Sequence, residues 1–402
     1  MKGKLLLLGG SKQQVIAIEK AQELGYETVL CDYLEDNPGQ YIADHFYLVS
    51  TTDKEEVLRI AEKEAIQGIV AYSSDPAAPT AAYVSEKLSL PGISYEVASS
   101  FCDKQLFRNF LEEKGFCVPG VASGTCDSLP VKIDSHNLRY PIIVKPTDSS
   151  GSKGVTVLDG PGELSKAIEY AARYSRNGKL VAEEFVQRDH SHVIEAEVFV
   201  LNGEVVSWGL INSIRDSLSN PLLPAAYTYP LDLPQSRREI VKDQVSRLIK
   251  ATECDCGAFN IEMIFDSSDR LFFLDAGPRN GGNRLPEFIS AITGADVVST
   301  TIRSAMGEPV DDAICFDSDD AGFWGLVVLH STRAGELISI DFSDLANEAI
   351  VWLDCEYQPG DAVRPFERCD DLLGLCLMHF QSKDDMDKVM NNLSDHVIVR
   401  LR

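Results

Sequence analysis

Two acidic residues sit at matching places on neighbouring apolar runs. Glu262 lies in Ala258-Phe-Asn-Ile-Glu-Met-Ile-Phe265, and Asp275 ends Arg270-Leu-Phe-Phe-Leu-Asp275. The turn Asp266-Ser-Ser-Asp269 joins the two runs, so a hairpin would set the carboxylates side by side. Like charges a few ångströms apart are unfavourable unless a cation lies between them. Hard carboxylate oxygens suit Mg²⁺ holding substrate phosphates, and Mn²⁺ takes the same oxygen set. Arg279 follows closely in Gly277-Pro-Arg-Asn-Gly-Gly-Asn283.

Three further features precede this pair in the chain. Tyr140-Pro-Ile-Ile-Val-Lys145-Pro146 reads as a strand that delivers one lysine, and a lysine there is costly to bury unless it meets an anion. Directly after it, Asp148-Ser-Ser-Gly-Ser-Lys-Gly-Val155 is small and flexible enough for backbone N–H groups to converge on phosphate oxygens. Leu180-Val-Ala-Glu-Glu-Phe-Val186 is an apolar strand carrying two carboxylates. Alternation turns one of them inward, where it needs a donor such as an exocyclic amine or a sugar hydroxyl.

The elements that must hold these residues fall into three units, 1–100, 101–310 and 311–402. The first alternates strand and helix: Lys4–Leu8, a helix ended by Gly25, Glu27–Cys31, Gly68–Ala71, then a helix from about Pro76 to Leu88. Alternation of this kind predicts a doubly wound parallel sheet. Gly9-Gly10-Ser11-Lys12-Gln13-Gln14 is not G-x-G-x-x-G, which argues against a nicotinamide cofactor and against Asp32 as a ribose ligand. A helix over Asp103–Lys114 opens the second unit, and short apolar runs such as Trp324–Leu329 and Ala349–Trp352 make the third a small β-rich lobe. The fold class is therefore α/β and α+β, multidomain.

With 44% hydrophobic and 25% charged residues, the chain has the composition of a globular protein. The formal charge of −25 argues against nucleic acid or an anionic membrane surface as partner. No early apolar run approaches a membrane span or a secretory signal, so a cytoplasmic protein is expected. The ten cysteines show no zinc or disulfide framework. A homodimer is the base-rate expectation for assembly.

The order of these features resembles the ATP-grasp superfamily of ligases, which includes biotin carboxylase, carbamoyl phosphate synthase and D-alanine–D-alanine ligase. Asp103-Lys104 with Arg108, Gly115 and Pro119 is similar to that family's entry into its ATP domain, and Asp75-Pro-Ala-Ala with Leu90-Pro-Gly92 to the end of its preceding α/β (pre-ATP-grasp) domain. The resemblance implies that Lys104 and Lys145 contact phosphates of ATP and that Ser150, Gly151, Ser152 and Gly154 close over them. It places Glu183, Glu184 and Val186 in the hinge that reads adenine, with Ile143 and Leu274 sandwiching the base. Glu262 and Asp275 become metal ligands, and Arg215 reaches the transferring phosphate. Arg279 stabilises the acyl phosphate, and Asn280, Asn283 or a water is left to supply the oxygen that the family draws from an asparagine at the position of Gly277. One departure stands out: where the family reads E-x-N-x-R, this chain reads Asp275-Ala-Gly277-Pro-Arg279.

The activity so implied is ADP-forming ligation. A small-molecule carboxylate takes the γ-phosphoryl group of ATP, and an amine or similar nucleophile then displaces phosphate. Two alternatives are a carbamoyl-phosphate-synthase-like or carboxylase-like enzyme acting on bicarbonate, and an ATP-binding module without turnover.

Overall fold

Strand β1 (Lys4–Leu8) is a run of leucines that needs cover on both faces. In the computed structural model, which describes residues 2–216, 218–310, 314–317, 320–355 and 357–402, it receives that cover. It pairs in parallel with β2 (Glu27–Asp32) and β4 (Gly68–Val70), and β3 (His45–Leu48) extends the sheet in the order β3-β2-β1-β4. Helix α1 (Lys12–Glu23) packs Ala17, Ile18 and Ala21 with Leu5 and Leu7. On the opposite face, α2 (Lys54–Glu64) and α3 (Ala78–Leu88) bring Val57, Ile60 and Val84 to Leu6 and Leu8. This is the doubly wound arrangement expected. Asp32 accepts from the backbone N–H of Gly10 (2.7 Å) and Leu34 (2.9 Å), so its carboxylate ties down the turn after β1.

Helix α4 (Tyr95–Cys102) leads into α5 (Lys104–Glu113), which Asp103 caps through the N–H groups of Gln105 and Leu106. The Ser- and Pro-containing stretch that follows holds β5 (Val121–Gly124) and α6 (Leu129–Ser135). Strand β5 joins β6 (Ile142–Pro146), β7 (Thr156–Leu158) and β8 (Leu180–Glu184) in an antiparallel sheet ordered β5-β8-β6-β7. Helix α6 and α7 (Leu164–Ala172) bury Leu129, Ile133, Ala167 and Ile168 against it.

The site stands on a larger antiparallel sheet. Strands β9 (Val193–Leu201), β10 (Glu204–Arg215), β11 (Pro224–Tyr229), β12 (Cys256–Phe265) and β13 (Leu271–Gly277) lie in the order β13-β12-β9-β10-β11. Helix α8 (Gln235–Thr252) covers one face with Val241, Val245, Leu248 and Ile249. Spacing of i, i+4, i+7, i+8 makes one apolar stripe, each such side chain worth about 1.5–3 kcal/mol when buried. On the other face α9 (Leu285–Thr293) buries Leu285, Phe288 and Ile289. Helix α10 (Val297–Ala305) packs Val298 and Ile302 back against the first sheet.

The remaining strands are β14 (Phe323–Leu329), β15 (Gly335–Phe342), β16 (Ile350–Cys355), β17 (Ala362–Val363), β18 (Gly374–Phe380) and β19 (Val397–Leu401). Strand β14 pairs with β11, and β18 and β16 follow, so the C-terminal region lengthens the central sheet to eight strands. Strands β17, β15 and β19 form a small sheet of their own. Among the described residues no helix is long and apolar enough to cross a membrane. All ten cysteines are free thiols.

Candidate active site

Strand pairing aligns the acids. Glu262 on β12 is the register partner of Asp275 on β13 and, on its other side, of Glu195 on β9. Two residues along, Asn260 stands between Glu197 and Gly277 in a second row. Residues two apart on a strand share a face, so both rows line one surface of the sheet. A bulge after Glu262 re-aims the strand at this point.

Cations surround the first row. Arg215 donates from Nη2 to Glu262 Oε2 at 2.7 Å, and Lys104 Nζ lies 3.7 Å from Asp275 Oδ2. Burial opposes ionisation of Asp275, yet the charges of Lys104, Lys145, Arg108 and Arg279 hold its carboxyl below the ordinary range. Burial, together with the charge of Glu262, pushes Glu195 up to about 7. Its Oε1 accepts from Asn260 Nδ2 at 2.9 Å, while Oε2 is buried with no hydrogen-bond partner among the described residues. Glu197 is pushed up to about 8 by burial, although the Gly281 N–H (2.9 Å) and Asn280 Nδ2 (3.2 Å) both donate to it.

No three His, Cys, Asp or Glu side chains among the described residues close around a metal position by themselves. The donor set nevertheless fits Mg²⁺, which binds through one or two carboxylates and keeps phosphate and water oxygens for the rest. Glu262 and Asp275 would be those carboxylates, with Glu195 the next residue of the same row.

Beside the acids opens a cleft between the β5-β8-β6-β7 sheet and the central one. Lys104, Ile143, Lys145, Ser150, Gly151, Ser152, Glu183, Glu184, Val186, Arg215, Leu274, Glu262 and Asp275 all line it. Ile143 on β6, Leu274 on β13 and Val186 contribute apolar side chains to this lining. The loop between β6 and β7, termed the lid, borders the cleft. Gly151 (φ +65°) and Ser152 (φ +58°) take left-handed backbone in it, and Ser152 Oγ donates to the Leu222 carbonyl at 3.3 Å. Lys104 Nζ donates to the Ser149 carbonyl at 2.7 Å, tying α5 to the lid.

The inward carboxylate of β8 is Glu183, and its donors are the protein's own cations. Lys145 Nζ lies 2.7 Å from Glu183 Oε2, and Arg108 Nε lies 2.8 Å from Oε1. Burial disfavours its charge, but Arg108 and Lys145 overcome this and hold it down at about 2. The expected amine or hydroxyl donor is thus replaced by an ion cluster, because a buried lysine needs its anion whether or not a ligand is bound. Arg108 also donates to the carbonyls of Phe273 (3.1 Å) and Leu274 (2.8 Å), joining α5, β8 and β13. Glu184 keeps its place in the cleft lining and pairs with Arg139 at 2.9 Å. Asp189, just past the hinge, pairs with Arg237 at 2.9 Å.

Four expected site residues, Asn280 on Glu197 among them, stand apart from the cleft lining. Gly154 (φ +75°) packs under the lid, where a Cβ would come within 3.0 Å of Pro146 and 3.1 Å of Tyr174. Asn283 is buried, its Nδ2 donating to the Tyr227 hydroxyl (3.0 Å) and its N–H to Gln13 Oε1 (2.9 Å). Arg279 reaches Asp75 in the loop between β4 and α3, with Nη2 2.5 Å from Oδ1. The sequence singles out neither Glu197 nor Asn260, and offers Glu195 only as an acid that follows Glu184 late, though acids at i and i+2 in an apolar strand are a usable signal.

The family model of the carbamoyl-phosphate synthase L chain ATP-binding domain matches residues 103–313, just over half of the chain. The carbamoyl phosphate synthase large chain of Thermotoga petrophila is 26% identical over 307 residues, covering 73% of this chain and 26% of that one. The chain therefore spans about a quarter of the length of that relative. The formate-dependent phosphoribosylglycinamide formyltransferase of Variovorax paradoxus is 23% identical over 397 residues, covering 94% of this chain and 91% of that one. The crystal structure of L-amino acid ligase from Bacillus licheniformis is similar with a TM-score of 0.80 and 19% identity, over 100% of this chain and 99% of that one. That likeness is one of fold. With more than half its length in the matched domain, the chain belongs to the family of the carbamoyl-phosphate synthase L chain ATP-binding domain, within the ATP-grasp superfamily.

Proposed function

We propose that the chain is an ADP-forming ligase that activates a small-molecule carboxylate with ATP and passes the acyl group to an amine or similar nucleophile. The observation that carries this reading is the pairing of Glu262 with Asp275 at the lysine-lined end of the cleft. Ile143 and Leu274 hold the base, and Lys104 faces the phosphate end with the charge of the Lys145–Arg108–Glu183 cluster behind it. Mg²⁺, held by Glu262 and Asp275, supplies charge neutralisation on the phosphates. A carboxylate oxygen forms a bond to the γ-phosphorus, ADP leaves, and the nucleophile then displaces phosphate from the acyl carbon and loses a proton.

The chain's own part in these steps is positioning and electrostatics. Arg215, held against Glu262, places a fixed positive charge beside the transferring group. The lid, anchored by Ser152 on Leu222, keeps water from the acyl phosphate. The formate-dependent relative and the L-amino acid ligase both carry names that fit a carboxylate substrate. A panel of carboxylate and amine pairs, scored for ADP and phosphate release with MgATP, tests the proposal. Release that requires both partners supports it. Nucleotide binding with no release from any pair would instead favour a module without turnover.

A further inference from the structure

The lid is met by chain from far downstream. Lys153 Nζ lies 3.2 Å from Asp370 Oδ2, an ion pair with side-chain exposures of 36% and 54%. Gly151 faces Cys369, where a Cβ built on the glycine would sit 3.6 Å from Cys369 Cβ and 3.8 Å from Sγ. Burial pushes the Cys369 thiol up to about 12, so the group opposite the glycine is neutral. Cys369 and Asp370 belong to a single turn, Cys369–Asp371, in the connection from β17 to β18. That turn is held firmly. Asp371 accepts from the Arg368 N–H (3.0 Å) and from its Nη2 (3.1 Å), and buried Phe366 stacks on His330 just before it.

The same stretch reaches the loop after β10. Asn220 Nδ2 donates to the Glu367 carbonyl at 3.1 Å. In that loop the Leu222 carbonyl accepts from Ser152 Oγ of the lid (3.3 Å) and from Arg215 Nη1 (3.4 Å). One carbonyl is thus shared by the lid and by the arginine that holds Glu262.

We propose that Asp370 is a positioning residue: by holding Lys153 it seats the lid on the 369–371 turn and keeps Ser152 at the carbonyl that Arg215 shares. The inference rests on the ligase reading above, in which the cleft under the lid holds the nucleotide. Its size is bounded by exposure. A solvent-exposed ion pair shifts an equilibrium by no more than about fivefold, and salt screens it.

The test uses the full chain and two readouts. The first is tryptic cleavage after Lys153 in the free protein, which follows the population of the unseated lid. Asp370→Asn is expected to be cut there about two- to fivefold faster, with an unchanged thermal midpoint. The second is release of a fluorescent ADP analogue from its Mg²⁺ complex with the chain, chased by unlabelled MgADP. Asp370→Lys and Lys153→Glu each speed release about two- to fivefold, and high salt narrows the difference. The charge exchange Lys153→Glu/Asp370→Lys returns release to within about twofold of the wild type. A merely structural role for Asp370 predicts a lowered midpoint that the exchange does not restore. Equal cleavage of wild type and Asp370→Asn would overturn the proposal. So would faster release that the exchange leaves uncorrected, since Lys153 would then act on the nucleotide directly. A wild type that does not bind the analogue would overturn the ligase reading instead, while the cleavage rates still decide whether Asp370 seats the lid.

Discussion

Glu262 and Asp275 are register partners on adjacent strands, and each is met by a cation from a different element: Arg215 from β10 and Lys104 from α5. The acids and the cations depend on each other. Replacing one acid leaves a cation near the cleft without its counter-charge, and this consequence can be measured.

Glu262→Gln removes one metal-binding oxygen while preserving shape. The expected result is a fall in MgATP-dependent ADP release of roughly a hundredfold or more. Glu262 lies at the cleft and is partly exposed, so the thermal midpoint stays within a few degrees of the wild type. Steady-state kinetics and a melting curve check both halves.

Arg108 is 2% exposed and holds three elements together, so it is structural as well as electrostatic. Arg108→Met leaves Glu183 with Lys145 alone and two carbonyls without their donor. Breaking a buried ion cluster from one side costs about 3–5 kcal/mol, and urea denaturation is expected to show a loss near the lower figure.

How much of this was legible in the sequence differs residue by residue. The Glu262–Asp275 hairpin could be read because its two strands are consecutive and a polar turn joins them. Glu195 could not be placed beside Glu262, because β9 lies far upstream and pairs with β12 only after two intervening strands. Lys145 was recognised as a cation needing an anion, but the anion proved to be Glu183, brought in by the β6–β8 pairing. The contact between Gly277, Asp75 and Arg279 joins the loop after β4 to the end of β13, and no local pattern announces it. Strands β1, β2 and β4 are legible as short apolar runs between turn residues, whereas β3, only half-buried, and helices α2 and α4 have no such signal. The strands after residue 323 were expected as a small separate lobe, because nothing local shows that β14 pairs with β11.

Acid stability should carry the mark of Glu183. Its folded-state value of about 2 lies below the ordinary 4.5, so its ionisation stabilises the fold in full above about pH 4.5. That contribution is lost as the pH falls from 4.5 through 2. Glu183→Gln is expected to be less stable at neutral pH and to show a flatter loss of stability across that window. Denaturant midpoints at a series of pH values decide it; parallel curves for the two proteins would contradict the assignment.

The lid depends on left-handed backbone at Gly151 and Gly154. Gly154→Ala strains φ and presses a methyl group against Pro146 and Tyr174. A cost of about 1 kcal/mol or more is expected, read as a several-fold rise in KM for ATP with a smaller change in kcat. The same change at Gly115, also at positive φ but with open space around it, affects stability alone.

The central claim is that the acidic row holds a divalent ion together with nucleotide phosphates. Electron paramagnetic resonance of Mn²⁺ with the full-length chain, with and without ADP, tests it most directly. The account predicts bound Mn²⁺ that requires ADP in the wild type and is lost in Glu262→Gln and Asp275→Asn. Mn²⁺ bound equally by wild type and variants, or no nucleotide-dependent binding at all, would contradict it.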